Sequence, residues 1–389
     1  MIRTVFTLAV TTVLLASSAF SQPQVQHSAH HDYRVVTVVD SLMNPWSMAF
    51  LPNGDMLVTE RPGRLRIVRR GKLLPDPVPG VPEVLARGQG GLLDVVLHPN
   101  FPSNRLVYLS YSKPLGDSAA GATTAVARGR FENDRLTGLQ DIFVAATKAP
   151  PGAGHFGSRL AFDKNGYLFI TVGDRMVPPA GELTTHPAQD LSNHHGKIIR
   201  LHDDGRVPTD NPFVGREGAK PEIYSYGHRN MQALMVHPVT GDVWATEHGP
   251  QGGDELNLIK PGANYGWPVI GFGVNYRTGA VIHSGTHRDG MEQPVLVWVP
   301  SIAVAGIQYY SGDKFPGWKG SVFVGGMVGE QLVRLSIQGQ TAEREEVLVR
   351  KQGRIRDVRQ GTDGLIYLAI DSREGKATPI LRLEPVPRN

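Results

Sequence analysis

One pattern of apolar and polar positions recurs along the chain. A short apolar run, a turn carrying Gly or Asn, and a second run rich in β-branched and aromatic residues follow one another. It reads AFLPNGDMLVTER at 49–61, VLHPNFPSNRLVYLSY at 96–111 and AFDKNGYLFITVGDR at 161–175. It returns as MVHPVTGDVWATEHG at 235–249, IQYYSGDKFPGWKGSVFVGG at 307–326 and RQGTDGLIYLAIDSREG at 359–375. Alternation with a period of two places one set of side chains on each face of a strand, and a turn between two such runs makes a hairpin. Six unequally spaced copies predict an all-β protein, a six-bladed β-propeller of four-stranded antiparallel blades. Each blade would bury its faces on its neighbours, so residues 33–389 form a single domain. Two stacked β-sandwiches are the other arrangement of such strands. The run Tyr33–Val39 precedes the first copy. It is predicted to pair beside Ile380–Leu383, closing the ring and covering an open strand edge.

Residues 1–21 read differently. Arg3 precedes the apolar stretch Val5–Ala16, and small residues Ala19 and Ser21 precede Gln22. The stretch is short of the ~20 residues needed to span a bilayer. The segment therefore reads as a signal peptide cleaved before Gln22, giving a periplasmic or secreted protein without stable membrane insertion. Residues 22–32, with His27, His30 and His31, read as a flexible leader.

Composition narrows the chemistry. The 389 residues include 45 Gly and 29 Pro, which suits a turn-rich β protein, and no Cys. That excludes disulfides, thiolate nucleophiles, Fe–S clusters and cysteine zinc sites. Lys plus Arg number 40 against 36 Asp plus Glu, a net charge of +4 that gives no case for nucleic acid. No GxSxG, Walker A or contextual GxGxxG motif points to a serine hydrolase, P-loop enzyme or Rossmann dehydrogenase. His98, His194, His195 and His237 lie near turns without HExxH spacing.

The polar clusters lie in loops beside the repeats. Gln89 sits in RGQGGLL, where glycines permit close ligand approach, and a plain loop is the other reading. His155 sits in the Gly-rich PPGAGHFGSR, as a base near neutral pH or as a hydrogen-bonded structural residue. Arg229 and Asn230 follow the strand Glu222–Tyr226, either to grip an anion or to tie two blades together. The run EHGPQGGDE at 247–255 offers carboxylates and outward carbonyls, hard oxygens suited to Ca²⁺; Asp254 and Glu255 equally suit bracing of the loop itself. Arg354 and Arg356, two apart on a strand, share a face, which calls for an anion or several carboxylates opposite and favours a polycarboxylate or phosphate ligand over a bland surface.

Taken together, NPWSMAFLPNG, GQGGLLDVVLHPNF, GHFGSRLAFDKNGYLFITVGDR, HHGKIIRL, YSYGHRNMQAL, TEHGPQGGDELNLIKPGANYGWP and RIRDV run from about residue 44 to 357. This set resembles the soluble quinoprotein glucose/sorbosone dehydrogenases, especially their aldose sugar dehydrogenase branch. The resemblance implies a six-bladed propeller carrying pyrroloquinoline quinone (PQQ) and Ca²⁺. It implies that an aldose is oxidised at C1 to the aldonolactone by direct hydride transfer. Electrons would leave to an external acceptor: a quinone, a dye or a small redox carrier. It assigns His155 as the base, Arg229 as the group facing the developing charge, and Gln89 and Asn230 as positioning residues. Arg229, Arg354 and Arg356 would hold the PQQ carboxylates, and the carbonyls of Gly249 and Pro250 the Ca²⁺. Two positions depart from the pattern. Gly154 stands where the glucose-oxidising branch has Asp beside the base, and Val328 where the family has a PQQ-contacting Lys. Two other readings share the fold: a calcium-dependent propeller lactonase, and a non-catalytic exported propeller that binds sugar or an anion.

Overall fold

Each of the six recurring phrases forms the first two strands of an antiparallel sheet. The computed structural model describes residues 24–116, 121–147 and 154–388, so the expected signal peptide lies outside the described residues. Blade 1 comprises Pro45–Phe50, Met56–Glu60, Arg64–Arg69 and Lys72–Leu73. Blade 2 comprises Leu92–Leu97, Leu106–Pro114, Ala122–Glu132 and Arg135–Val144. Blade 3 comprises Leu160–Phe162, Leu168–Val172, Lys197–Leu201 and Ile223–Tyr226. Blade 4 comprises Met231–Val236, Val243–Glu247, Asp254–Ile259 and Leu296–Trp298. Blade 5 comprises Val304–Tyr309, Val322–Gly326, Gln331–Gln338 and Thr341–Leu348. Blade 6 comprises Arg354–Gln360, Ile366–Asp371 and Ala377–Val386, completed by the N-terminal strand Asp32–Met43.

The first strands of successive blades touch one another around a closed ring, so they line the axis. Apolar faces meet between blades. Six large buried clusters sit one at each junction, for example Leu57, Leu65, Val95 and Leu109 between blades 1 and 2. The ring is closed by chain ends: Asp32–Met43 runs antiparallel to Ala377–Val386, with Val35 opposite Leu383 and Thr37 opposite Leu381.

Residues 24–32 differ from the expected flexible leader. Val25–His27 pairs with Asp32–Arg34 and makes blade 6 five-stranded. His31 accepts a hydrogen bond from the Gly317 N–H (2.8 Å) and stands edge-on to Phe315 and Trp318. Main-chain pairing and one wedged ring hold this polar segment, neither of which needs an apolar pattern.

The axis is plugged by charge. Arg159 Nη1 lies 2.8 Å from Asp357 Oδ1, and Arg359 bridges Asp357 (3.1 Å) and Asp94 (3.2 Å). Arg159 also donates to the carbonyls of Gln232 (2.7 Å) and Arg356 (2.8 Å). Both of those residues line the cavity above, so the ion quartet forms its floor.

Candidate active site

The cavity lies at the end of the ring where the inner strands begin and the second strands finish. Its volume is about 460 Å³, and its walls include Trp46, Arg61, Gln89, Asn230, Arg354 and Arg356. A carboxylate ends the second strand, or lies just beyond it, in four blades: Glu60, Asp174, Glu247 and Asp371. All four are buried. Each anchors the stretch that opens its own blade. Glu60 accepts from the Met43 N–H (2.6 Å), and Glu247 from the Arg229 N–H. Asp371 accepts from Asn44 (2.9 Å) and Arg356 (3.0 Å).

In blades 3 and 4 the same device also holds an imidazole: in blade 4 the fully buried His228, 2.9 Å from Glu247 Oε2 and tied by its other ring nitrogen to Ser225 (2.9 Å), and in blade 3 His155. His155 Nδ1 lies 2.6 Å from Asp174 Oδ1. A carboxylate only accepts, so Nδ1 carries the proton and Nε2 is left with the basic lone pair. Asp174 is held in turn by Trp267 Nε1 (2.8 Å) and the Met176 N–H (2.8 Å). Burial alone would raise the Asp174 carboxyl, but His155, Arg229 and the Met176 N–H outweigh it and lower it. Burial lowers His155, with Arg229 and Arg175 adding to the fall and Asp174 opposing it, so the imidazole is held neutral. Neighbouring Phe156 and Gly157 line the cavity, as does Gln89, whose side-chain oxygen accepts from the His155 N–H (2.8 Å).

Gly154 has a packing reason. A Cβ there would lie 2.4 Å from Gln89 Cδ, so a side chain at 154 and this Gln89 position exclude each other. The carboxylate that meets the His155 ring is Asp174. Sequence reasoning left Asp174 unassigned, although it ends the third repeat where Glu60, Glu247 and Asp371 end theirs.

The opposite wall is cationic. Arg61, Arg354, Arg356 and Arg373 line the cavity against the single carboxylate Asp371. Arg356 reaches Asp371 (3.0 Å) and Gln232 (3.0 Å), while Arg354 has only the Met327 carbonyl (3.4 Å) and a weak sulfur contact. The Nε atoms of both are buried without a partner. Burial, reinforced by Arg356 and Arg373, pulls Arg354 down to about 10. Such a wall favours an anion with several carboxylates. Val328 lines the same cavity and is exposed. Arg61 and Arg373 supply positive charge on these walls where a Lys at 328 is missing.

Asn230 is buried and accepts from the Gly157 N–H (3.2 Å) and from Gln232 (3.1 Å), bracing the His155 loop. Arg229, Gly249 and Pro250 border a hollow of about 20 Å³. Gly249 and Pro250 also border an annex of about 230 Å³ that shares His248, Tyr276, Ala303 and Val328 with the main cavity. Asp254 braces this loop, accepting from the Gly249 N–H (3.2 Å) and the Val304 N–H (3.2 Å). Glu255 accepts from Asn257 (3.1 Å) and is raised by burial and by Glu247. Loop carboxylates are thus engaged internally, leaving carbonyl oxygens as hard donors. One of them, Gly249 O, accepts from Arg229 Nη1 (2.8 Å), so a cation there would compete with that guanidinium. Among the described residues no three His, Asp or Glu side chains gather as a metal site. The turn histidines are separated: His98 lies by Asp203, His194 by Glu222, and His237 against Tyr309. Among the described residues no helix is long and apolar enough to cross a membrane.

Comparison with known proteins agrees with this geometry. The glucose/sorbosone dehydrogenase family model matches residues 42–382. Aldose sugar dehydrogenase YliI of Escherichia coli is 43% identical over 356 residues, covering 90% of this chain and 92% of that protein. The crystal structure of the soluble aldose sugar dehydrogenase from Escherichia coli in its apo form superposes with a TM-score of 0.84 at 42% identity, covering 91% and 100% of the two chains. The PQQ-bound aldose sugar dehydrogenase of Streptomyces coelicolor gives a TM-score of 0.72 at 29% identity, covering 91% and 98%.

Proposed function

The chain belongs to the glucose/sorbosone dehydrogenase family and is an oxidoreductase acting on sugar CH–OH groups; from that premise we propose that it oxidises aldoses at C1 to the aldonolactone with PQQ and Ca²⁺. The observation that carries the reading is a neutral His155, oriented by Asp174, beside a cavity walled by arginines with unpartnered Nε donors. PQQ is a flat tricarboxylate, which suits those donors and that charge. When bound, PQQ supplies the two-electron acceptor and Ca²⁺ the Lewis acid that polarises it.

The chain's own groups do the rest. His155 Nε2 takes the proton of the anomeric hydroxyl, and Asp174 stabilises the imidazolium that results. Gln89 fixes the main chain of the base, and Asn230 fixes the loop behind it. Arg354 and Arg356 would hold carboxylates of the cofactor, and Arg229 would face developing negative charge. The carbonyls of Gly249 and Pro250 would hold the cation, which would compete with Arg229 Nη1 for Gly249 O. Residues 1–21 direct export, placing the sugar, the cofactor and an external electron acceptor in the same compartment.

Reconstitution tests this. The metal-stripped chain from Gln22 is given PQQ, Ca²⁺ and a redox dye across a panel of aldoses. Dye reduction that requires both additions is expected. His155→Ala should abolish it while PQQ binding, read by absorbance titration, persists. Bound PQQ without turnover on any aldose would favour a binding propeller, and Ca²⁺-dependent lactone hydrolysis without PQQ a lactonase.

A further inference from the structure

Backbone strain gathers around His155. Four non-glycine residues there are left-handed: His155 (φ 53°), Ser158 (78°), Arg175 (60°) and Met176 (59°). Such conformations persist only where surroundings over-determine them, and they cluster at functional sites. The two strained stretches clasp each other. Asp174 takes the His155 ring, and the Arg175 N–H reaches the His155 carbonyl (3.3 Å). Met176 Sδ accepts from the Gly154 N–H (3.0 Å). Their approach is so close that a Cβ at Gly173 would sit 2.1 Å from His155 O.

Arg175 is the centre of this clasp. Its Nη1 donates to the Gly154 carbonyl and its Nη2 to the Ala122 carbonyl of blade 2 (3.1 Å). Its guanidinium lies over the Phe156 ring, 3.4 Å from the centroid. The side chain is 1% exposed, and its Nε has no partner. Bracing two carbonyls needs only neutral donors; the buried charge is offset in part by the Phe156 face and by Asp174, and it lies where it also acts on His155.

We propose that Arg175 is a positioning residue for the base: its fork fixes the Gly154–Phe156 main chain that carries His155, and it sets a buried cation beside the imidazole. The charged groups acting on His155 are Asp174, Arg229 and Arg175; Asp174 favours the imidazolium, and both arginines oppose it. His186 stands across Trp267, 6.3 Å from that ring. Burial brings Arg175 itself down to about 10, so it remains a cation at neutral pH. Its role as support for a base rests on the dehydrogenase reading above; its effect on the imidazole does not.

The test separates the two. The His155 imidazole is titrated by NMR in the cofactor-free chain, assigned by difference against H155Q, in wild type, R175Q and R175K. Removing the charge in R175Q is expected to move the titration to higher pH. In the reconstituted enzyme the acidic limb of kcat/KM should move the same way, and kcat should fall about 10²-fold as the loop loses its brace. R175K keeps a charge but replaces a fork with one ammonium, so its titration should stay near wild type while kcat falls. An unmoved titration in R175Q with only a lower Tm would overturn the proposal. If R175Q does not fold, R175K with full kcat, or with a titration displaced upward, would overturn it. Absence of PQQ-dependent turnover in the wild type, with the R175Q displacement present, would count against the dehydrogenase reading and leave the Arg175 inference standing.

Discussion

Replacing Asp174 with Asn preserves volume and removes one charge, and the surrounding donors determine the effect. Three of them converge on this carboxylate: His155 Nδ1 (2.6 Å) and the Met176 N–H (2.8 Å) on Oδ1, and Trp267 Nε1 (2.8 Å) on Oδ2. An amide offers one oxygen and an NH₂ group. If the oxygen stays with His155, the NH₂ meets Trp267 Nε1–H, donor against donor. If the amide turns over, the NH₂ meets Nδ1, drives its proton to Nε2 and abolishes the base. Either way at least one buried donor loses its partner, a cost of about 1–3 kcal/mol. Loss of the oriented, charge-stabilised base should lower kcat by about 10²–10⁴-fold. The pH effect has a definite sign. Asp174 raises His155 against the effect of burial, so its removal lowers His155 further. A base works above its own pKa, so the acidic limb of kcat/KM should move to lower pH even as the plateau collapses. Dye reduction at saturating PQQ and Ca²⁺ across pH, with thermal melting alongside, measures both. A kcat within about fivefold of wild type, well short of the loss expected for a missing base, or an acidic limb that stays or rises, would refute the assignment.

Other substitutions probe the remaining parts. G154A places a Cβ 2.4 Å from Gln89 Cδ and should break the Gln89–His155 N–H bond. It should therefore lower kcat about fivefold, for the ~1 kcal/mol of one hydrogen bond, and the G154A/Q89A double variant should lose no more than Q89A alone; additive losses would sink the steric argument. R354A removes a charge-assisted contact worth about 1.5–3 kcal/mol, so the PQQ dissociation constant should rise about 10- to 100-fold with little change in saturated kcat; an unchanged constant would show that this arginine does not touch the cofactor. R159M leaves Asp94 and Asp357 sharing Arg359 alone at the plugged axis and should cost about 3–5 kcal/mol in chemical unfolding. Adding D357N should recover part of that loss, and a single-variant stability equal to wild type would contradict the quartet's role.

The fold was legible where pattern and packing coincide. Each repeat phrase corresponds to the two innermost strands of a blade, which are buried on both faces and so cannot vary their alternation without losing the junction cores. The closing strand was readable from its run of β-branched residues, Val35 to Val39, which pairs with the apolar Ile380–Leu383 stretch. The outer strands range from the two residues Lys72–Leu73 to the eleven of Ala122–Glu132, and some, such as Arg135–Val144, are largely exposed, so periodicity says less about them. Residues 24–32 carry no apolar alternation at all. Their strand depends on main-chain pairing and on His31 between the Gly317 N–H and two aromatic rings, contacts between segments far apart in the chain that composition does not register.

The site was legible by residue type and opaque in its connections. Gln89, Asn230, Arg354 and Arg356 do meet on one cavity, because glycine loops and strand ends deliver them to the same end of the ring. Position-by-position comparison nevertheless registered Gly154 only as a lost carboxylate. Asp174, 19 residues on from His155, meets the ring through space. The repeat shows why this route was open. Glu60, Glu247 and Asp371 hold the beginnings of blades 1, 4 and 6 by binding main-chain N–H groups, an Asn, an Arg or, in blade 4, the His228 ring. His228 is fully buried and its other ring nitrogen is taken by Ser225, whereas blade 3 puts its ring on the loop whose Phe156 and Gly157 line the cavity. In blades 1 and 4 the next residue continues the theme: Arg61 reaches the Gly88 carbonyl and His248 the Val304 carbonyl, each at the threshold of the next blade. Arg175 turns back instead, onto Gly154. In blade 3 the residue after the carboxylate thus braces the loop that carries His155 as well as joining it to blade 2, so the site proposed above reuses a device the fold already required.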